Sequence, residues 1–382
     1  MARLRIAVLP GDGIGREVME AAFLPLERLG LDAEYLWGDI GWEFWKKEGS
    51  ALPQRTIDLL HSTEVCLFGA ITSKTADEAL QELAPSLREK GFKYISPIVQ
   101  LRQLFDLYVN LRPCKAFPGN PLNYREGIDL VIFRENTEGL YAGVEFHPLP
   151  SEVRRILEIH HPAMKRFSFA SDGEIAVSLR LMTKRGCHRI VKKAFEYAKQ
   201  FGRKRVTLVE KVNVLRETGG LMIREAQEVA QAYPEIIFDV VNVDALAMWL
   251  VKTPEQYDVL VAENLFGDIL SDLAAQLIGG LGFSASGNIG DHYAIFEPTH
   301  GSAPKYARLG KVNPLAMINA MVLMLDWLGE LDRSKTLEKA VRQVIYEGKV
   351  RTYDMGGSAS TTEMARAVAE KIAWSFSAVT EI

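Results

Sequence analysis

The chain has 382 residues, enough for two average domains or one large α/β unit, and its 48% hydrophobic and 25% charged residues fall in the soluble globular range. A formal net charge of −4 gives it no electrostatic attraction for nucleic acid or for an anionic membrane, so neither partner is expected. The cysteines, Cys66, Cys114 and Cys187, are odd in number, far apart and without zinc-ligand spacing, which suits incidental thiols in a reducing, cytoplasmic setting. The first apolar run stops at Pro10 and Gly11, too early for a secretory signal. The richest later stretch, Ala316–Gly329, is interrupted by Asn319 and Asp326 and does not read as a membrane span.

In chain order, Leu4–Gly30 reads as a strand, a glycine turn and a helix that Pro25 interrupts. Glu64–Ala70 is a buried strand, and Ala76–Gly91 is a polar helical insert broken by Pro85. Leu101–Pro113 passes from a helical to an extended pattern, and Ile128–Asn136 is a strand ending in charged residues. Cys187–Gly202 is an amphipathic helix with a glycine stop. Strand and helix then alternate: Arg205–Lys211 strand, Leu221–Tyr233 helix, Phe238–Leu246 strand, Tyr257–Asn264 strand, and a helix from Asn264 onward. That alternation implies an α/β fold with a largely parallel sheet.

The glycine turn, Gly11-Asp12-Gly13-Ile14-Gly15, places Arg16 where a dinucleotide fingerprint requires its third glycine, so the turn reads as a tight strand-to-helix connection. The chemistry is expected elsewhere. Asp268 and Asp272 lie four residues apart in "ENLFGDILSDLAAQ", on one face of a mostly apolar helix, where like charges repel. Two carboxylates on a buried helix need a cation, and oxygen-only ligands suit Mg²⁺ or Mn²⁺; an N-terminal helix aspartate beside a surface charge is the plainer alternative. Arg102, Arg112 and Arg134 lie near strand ends, and guanidinium forks match carboxylates, so together they suit a substrate with several carboxylates.

With these residues in place, the chain closely resembles the metal-dependent β-decarboxylating dehydrogenases, the family of isocitrate, 3-isopropylmalate, homoisocitrate and tartrate dehydrogenases. The resemblance rests on "LPGDGIG", "LRQLFDLYVNLRP", "FRENTEGLYAGVE", "VNVDAL", "NLFGDILSDLAAQLIGGLGF", "SGNIGD", "EPTHGSAPKYA" and "KVNP", in the family's order and across nearly the whole chain. It implies an isopropylmalate dehydrogenase-like fold. Residues 1–107 and 279–382 would form a large domain, 108–138 and 184–278 a smaller α/β domain, and 139–183 a clasp that joins two subunits. It further implies a homodimer with shared active sites. Asp268 and Asp272 would bind the metal with Asp244 of the other subunit. Arg102, Arg112 and Arg134 would clamp carboxylates, and Tyr141 and Lys211 would form the acid–base pair, Lys211 reaching across the interface. Glu210 precedes that lysine where relatives usually carry His or Asp.

The cofactor loop implied by the resemblance is Thr299–Ala307 with Asn313. Its members His300, Gly301, Ser302, Ala303, Lys305 and Tyr306 join Thr72 and Tyr353. NAD-dependent members commonly carry Asp where this chain has Lys305, so NADP is expected ahead of NAD, although Gly357 stands where NADP-type isocitrate enzymes often have Arg. Ser96 and Ile98 are the residues implied in specificity. Serine matches the isocitrate enzymes, and an apolar residue at 98 resembles the 3-isopropylmalate enzymes. Isocitrate is the expected substrate of this small 2-hydroxy polycarboxylate class. A regulatory subunit should lack some of these residues, whereas this chain keeps them all; an ordinary hydroxy-acid dehydrogenase would need no metal and release no CO₂.

Overall fold

The computed structural model describes residues 3–372. Twelve strands lie among the described residues: β1 (Leu4–Gly11), β2 (Ala33–Trp37), β3 (Val65–Ala70), β4 (Val109–Lys115), β5 (Asp129–Glu135), β6 (Glu145–Phe146), β7 (Val177–Ser178), β8 (Arg205–Glu210), β9 (Ile237–Asn242), β10 (Val259–Ala262), β11 (Ala285–Ile289) and β12 (Ala294–Pro298). Ten of them form one sheet in the order β2-β1-β3-β12-β11-β4-β5-β10-β8-β9, and β6 and β7 form a separate ribbon. The pairings on both sides are parallel, while β12–β11, β11–β4 and β4–β5 in the middle are antiparallel. The sheet is therefore largely parallel, with an antiparallel joint at its centre.

Parallel strands covered on both faces need continuous apolar sequence. Every residue of β3 and of β10 is buried. Helices supply the cover. The helix Lys184–Gln200 turns Cys187, Ile190, Val191, Ala194, Phe195 and Ala198 inward at helical spacing, and Thr183 caps it by accepting from Gly186 N at 2.9 Å. The helix Leu315–Trp327 is buried on most sides, in the same core cluster as Ala285, Ala294 and Phe296 of β11 and β12.

Three local expectations change. The strand expected over Phe238–Leu246 ends at Asn242, where the helix Val243–Lys252 begins with Asp244 in its first turn. The helix Ile14–Arg28 runs through Pro25 rather than stopping there; the proline forgoes one backbone bond near the C-terminal end, and its ring is buried. The polar insert is two short helices, Ala76–Glu82 and Pro85–Arg88, with Pro85 starting the second. Ala79 and Leu83 of this insert pack on Trp42 and Trp45. Residues 139–183 hold the β6–β7 ribbon and the helix Ser151–His160, which buries none of its residues. All three cysteines are free and buried. Among the described residues no helix is long and apolar enough to cross a membrane.

Candidate active site

The helix Asn264–Leu277 follows directly from β10, and Glu263 caps it by accepting from Phe266 N at 2.8 Å. Its apolar positions Leu270, Ala274 and Leu277 are buried, while the side chains of Asp268 and Asp272 stay 33% and 59% exposed. The face expected to be buried is thus part-exposed, and Arg112 and Arg134 already pair with its two carboxylates. Arg112, on β4, donates to Asp272 Oδ1 at 2.9 Å and to Ser271 Oγ at 2.6 Å. Arg134, on β5, bonds Asp268. Arg102, on the helix Pro97–Leu104, sits 3.7 Å from Glu297. All three arginines are buried.

Burial lowers the pKa of Arg102 and of Arg134, and in each case the other buried cations add to that direction. The three cations face three carboxylates, those of Glu297, Asp268 and Asp272, and pair with them within the chain. Asp268 is pushed up by burial, but the Arg134 charge and the Tyr141 hydrogen bond outweigh it and hold the acid below its ordinary range. Tyr141 Oη donates to Asp268 Oδ2 at 2.6 Å, and the Arg134 guanidinium lies 5.0 Å from the centre of its ring. Burial, that bond and the Asp268 charge raise the phenol pKa, so Tyr141 keeps its proton at neutral pH and can donate it.

The other two expected members stand apart. Lys211 follows β8, Asp244 opens the helix Val243–Lys252, and Lys211 Nζ bonds Asp244 Oδ1 at 2.5 Å. Lys211 holds Asp244 below the usual carboxylate range. No hydrogen bond or ion pair among the described residues joins this pair to Asp268, Asp272 or Tyr141. The one described cluster of three candidate ligands within 4.8 Å is His188, Glu225 and Glu228, so a single chain does not gather Asp244 with Asp268 and Asp272. Glu210 is buried and accepts from Arg180 at 2.5 Å and from Lys211 N at 2.9 Å, which anchors the start of the lysine loop.

A cavity of 170 Å³ joins Ile98, Arg102 and Arg112 to Thr299, His300 and Gly301. Clamp and loop thus face one space. Ser96 does not line it; that residue sits at the N-terminus of the helix Pro97–Leu104 and makes no capping bond with its side chain. The loop is held by the glycine turn. Ile14 N donates to Ser302 O at 2.9 Å, and a Cβ on Gly13, at φ 54°, would lie 2.0 Å from that oxygen. Buried Asp12 accepts from Trp42 N at 2.8 Å and Thr72 N at 2.9 Å, and Thr72 Oγ1 is 2.7 Å from Ser302 Oγ.

On the same side the Tyr306 and Tyr353 rings stack with centres 5.7 Å apart. Lys305 lies 5.1 Å from the Tyr306 ring centre, and Lys311 lies 5.2 Å and 5.5 Å from the two rings. Asn313 bonds Asp354 at 3.0 Å. His300 Nε2 is buried without a partner among the described residues, and burial lowers the imidazole pKa. Sequence reasoning missed Asp12 and Lys311. Each lay inside a motif already marked, but neither position carried a sign of its contacts.

The fold and the cleft define an α/β protein whose buried cations and paired carboxylates can take a polyanionic acid. The sequence pattern of the isocitrate/isopropylmalate dehydrogenase family matches residues 5–368. Protein DlpA of Legionella pneumophila is 47% identical over 97% of this chain, which spans 59% of that protein. The 3-isopropylmalate dehydrogenase of Archaeoglobus fulgidus is 41% identical over 96% of this chain and 98% of its own length. The crystal structure of isocitrate dehydrogenase from Methylococcus capsulatus superposes with a TM-score of 0.83 at 39% identity, covering 97% of this chain and 99% of that one. The chain belongs to the isocitrate/isopropylmalate dehydrogenase family, a family of decarboxylating dehydrogenases.

Proposed function

We propose that the protein oxidatively decarboxylates isocitrate to 2-oxoglutarate with NADP, as a homodimer with shared active sites that uses Mg²⁺ or Mn²⁺. The observation that carries this reading is the placement of Asp268 and Asp272 against Arg102, Arg112, Arg134 and Tyr141 in one cleft. The oxygen-only donor set fits a hard divalent cation, and Asp244 of the partner subunit would complete it. Bound, the ion would supply Lewis-acid polarisation of the substrate hydroxyl and its neighbouring carboxylate. The orphaned His300 Nε2, the two lysines and the tyrosine pair fit a nucleotide carrying an extra phosphate, which would supply the hydride acceptor.

The chain's own groups do the rest. The arginines grip the carboxylates and fix the carbinol carbon. The partner subunit's Lys211, as the free amine, accepts the hydroxyl proton through a water. Loss of CO₂ from the β-keto acid leaves an enolate, and Tyr141 delivers its proton to the enolate carbon. Exposed Ile156, Ile159, Phe167 and Phe169, within residues 139–183, supply apolar surface for a second copy of the chain.

Ser96 lies outside the cavity wall, but its hydroxyl makes no capping bond and, at the start of the helix that carries Arg102, can donate to a third carboxylate, which supports isocitrate. Ile98 on the cavity wall favours a second reading, 3-isopropylmalate, because it can only pack against alkyl groups. Specificity constants for both acids decide between them: isocitrate should be the better substrate, and Ser96→Ala should weaken it selectively by roughly tenfold to a hundredfold. A higher constant for 3-isopropylmalate in the unmutated enzyme overturns the isocitrate assignment.

For the cofactor, the enzyme should prefer NADP, and Lys305→Asp should prefer NAD. Lys305 and Lys311 offer two ammonium groups to a 2′-phosphate, and an aspartate would repel that phosphate while accepting from free ribose hydroxyls. The swing should be about tenfold or more in the ratio of specificity constants. Preference for NAD in the unmutated enzyme would give Lys305 another role.

A further inference from the structure

The three arginines come from three different elements, yet each is held in the same way. Arg102 Nε donates to Asn288 Oδ1 at 3.0 Å, Arg112 Nε to Asn110 Oδ1 at 2.7 Å, and Arg134 Nε and Nη2 to Asn264 Oδ1 at 2.9 Å and 2.7 Å. Asn110, Asn264 and Asn288 are 0%, 1% and 0% exposed.

Their orientation follows from the partners. A guanidinium only donates, so each amide must turn its oxygen toward the arginine. Each amide nitrogen then needs an acceptor, and each has one. Asn288 Nδ2 donates to Glu297 Oε1 at 2.6 Å, Asn110 Nδ2 to Asn288 Oδ1 at 2.9 Å, and Asn264 Nδ2 to Glu138 O at 3.2 Å. Asn110 and Asn288 stand directly opposite each other across the antiparallel β4–β11 joint. One cross-strand amide pair therefore sets two guanidiniums at once.

We propose that Asn110, Asn264 and Asn288 are positioning residues, each holding the Nε of one arginine so that its outer edge meets a substrate carboxylate. The chemistry favours an amide at these places. A neutral acceptor on Nε fixes the plane of the guanidinium without adding to the negative charge that Asp268, Asp272 and Glu297 already set against the three arginines. The inference rests on the reading of Arg102, Arg112 and Arg134 as carboxylate clamps.

The test is calorimetric titration with isocitrate and with 3-isopropylmalate, in Mg²⁺ and without nicotinamide cofactor, so that nothing turns over. Asn110→Ala and Asn264→Ala should each lower affinity for the acid by about tenfold or more. In turnover, KM for the acid should rise while kcat and KM for the nicotinamide cofactor hold, because these contacts bind ground and transition state alike. Asn120→Ala is the control. Asn120 is also buried and bonded, but it holds the backbone at Ile278 and Leu122 rather than an arginine, and its loss should leave affinity unchanged.

A double-mutant cycle separates positioning from mere packing. In an Arg134→Lys background there is no guanidinium fork to orient, and Asn264→Ala should have no further effect on affinity. Should either asparagine variant not fold, the other decides. If the unmutated protein binds neither acid, the clamp reading fails and the inference falls with it. If it binds but the asparagine variants bind as well, or if Asn264→Ala costs the same in the Arg134→Lys background, the clamp reading stands and the positioning role is overturned.

Discussion

Exhaustive chelation should bring turnover to the baseline, and Mg²⁺ or Mn²⁺ should restore it. Without a cation, two carboxylates four residues apart remain on one helix face, and the substrate hydroxyl has no Lewis acid to lower its pKa. Several kcal/mol of barrier are at stake, about three orders of magnitude in rate. Asp272→Asn sharpens the test. The amide can still accept from Arg112, and the half-exposed position should leave folding intact. The metal concentration for half activity should rise by at least about tenfold, while thermal stability without metal stays near that of the parent. Full activity in chelator would sink the metal assignment.

Mixing two dead variants should produce live enzyme. Lys211 and Asp244 bond each other in a single chain and nothing in the Asp268–Asp272 cluster, so the proposal places them in the partner's site. Lys211→Ala and Asp268→Asn should each be inactive alone. After subunit exchange a mixed dimer carries both lesions in one site and neither in the other. Random mixing of equal amounts makes half the dimers mixed, each with one working site of two, so about a quarter of parental activity should return. No recovery after exchange demonstrated by mass spectrometry would show that each chain completes its own site.

The sequence made some of this architecture readable and hid the rest for identifiable reasons. Asp268 and Asp272 stood out because two charges broke an apolar helical pattern. The arginines stood out by type, although nothing in their spacing said that they converge. Tyr141 and Lys211 had no local signal and were marked only through resemblance to a family. The failed glycine fingerprint was informative, since Gly13 meets Ser302 backbone. β11, Ala285–Ile289, reads "ASGNI" and has little strand propensity of its own; the neighbouring strands on both sides impose its conformation. The helix Leu315–Trp327 lacks an amphipathic period because it is buried on most sides. The three asparagines could not be picked out, because an amide in a strand or at a helix start looks the same whether or not an arginine from another element rests on it.

The antiparallel joint at the centre of the sheet also bears on how the molecule acquires its site. Arg102 and Asn110 reach Asn288 across 186 and 178 residues of chain. Such closures are entropically late events in folding, as is the parallel pairing of Cys66 with Ile295 between β3 and β12, whereas β1–β2, β1–β3, β8–β9 and β8–β10 join nearer neighbours. A folding chain therefore lacks the contacts of Arg102 and Asn110 to Asn288 until β11 pairs with β4. On the proposed function, the complete three-arginine clamp is then a property of the finished molecule alone. By mass action an acid bound at the proposed clamp would stabilise the native state alone, favouring a pairing that the neighbouring chain cannot enforce locally.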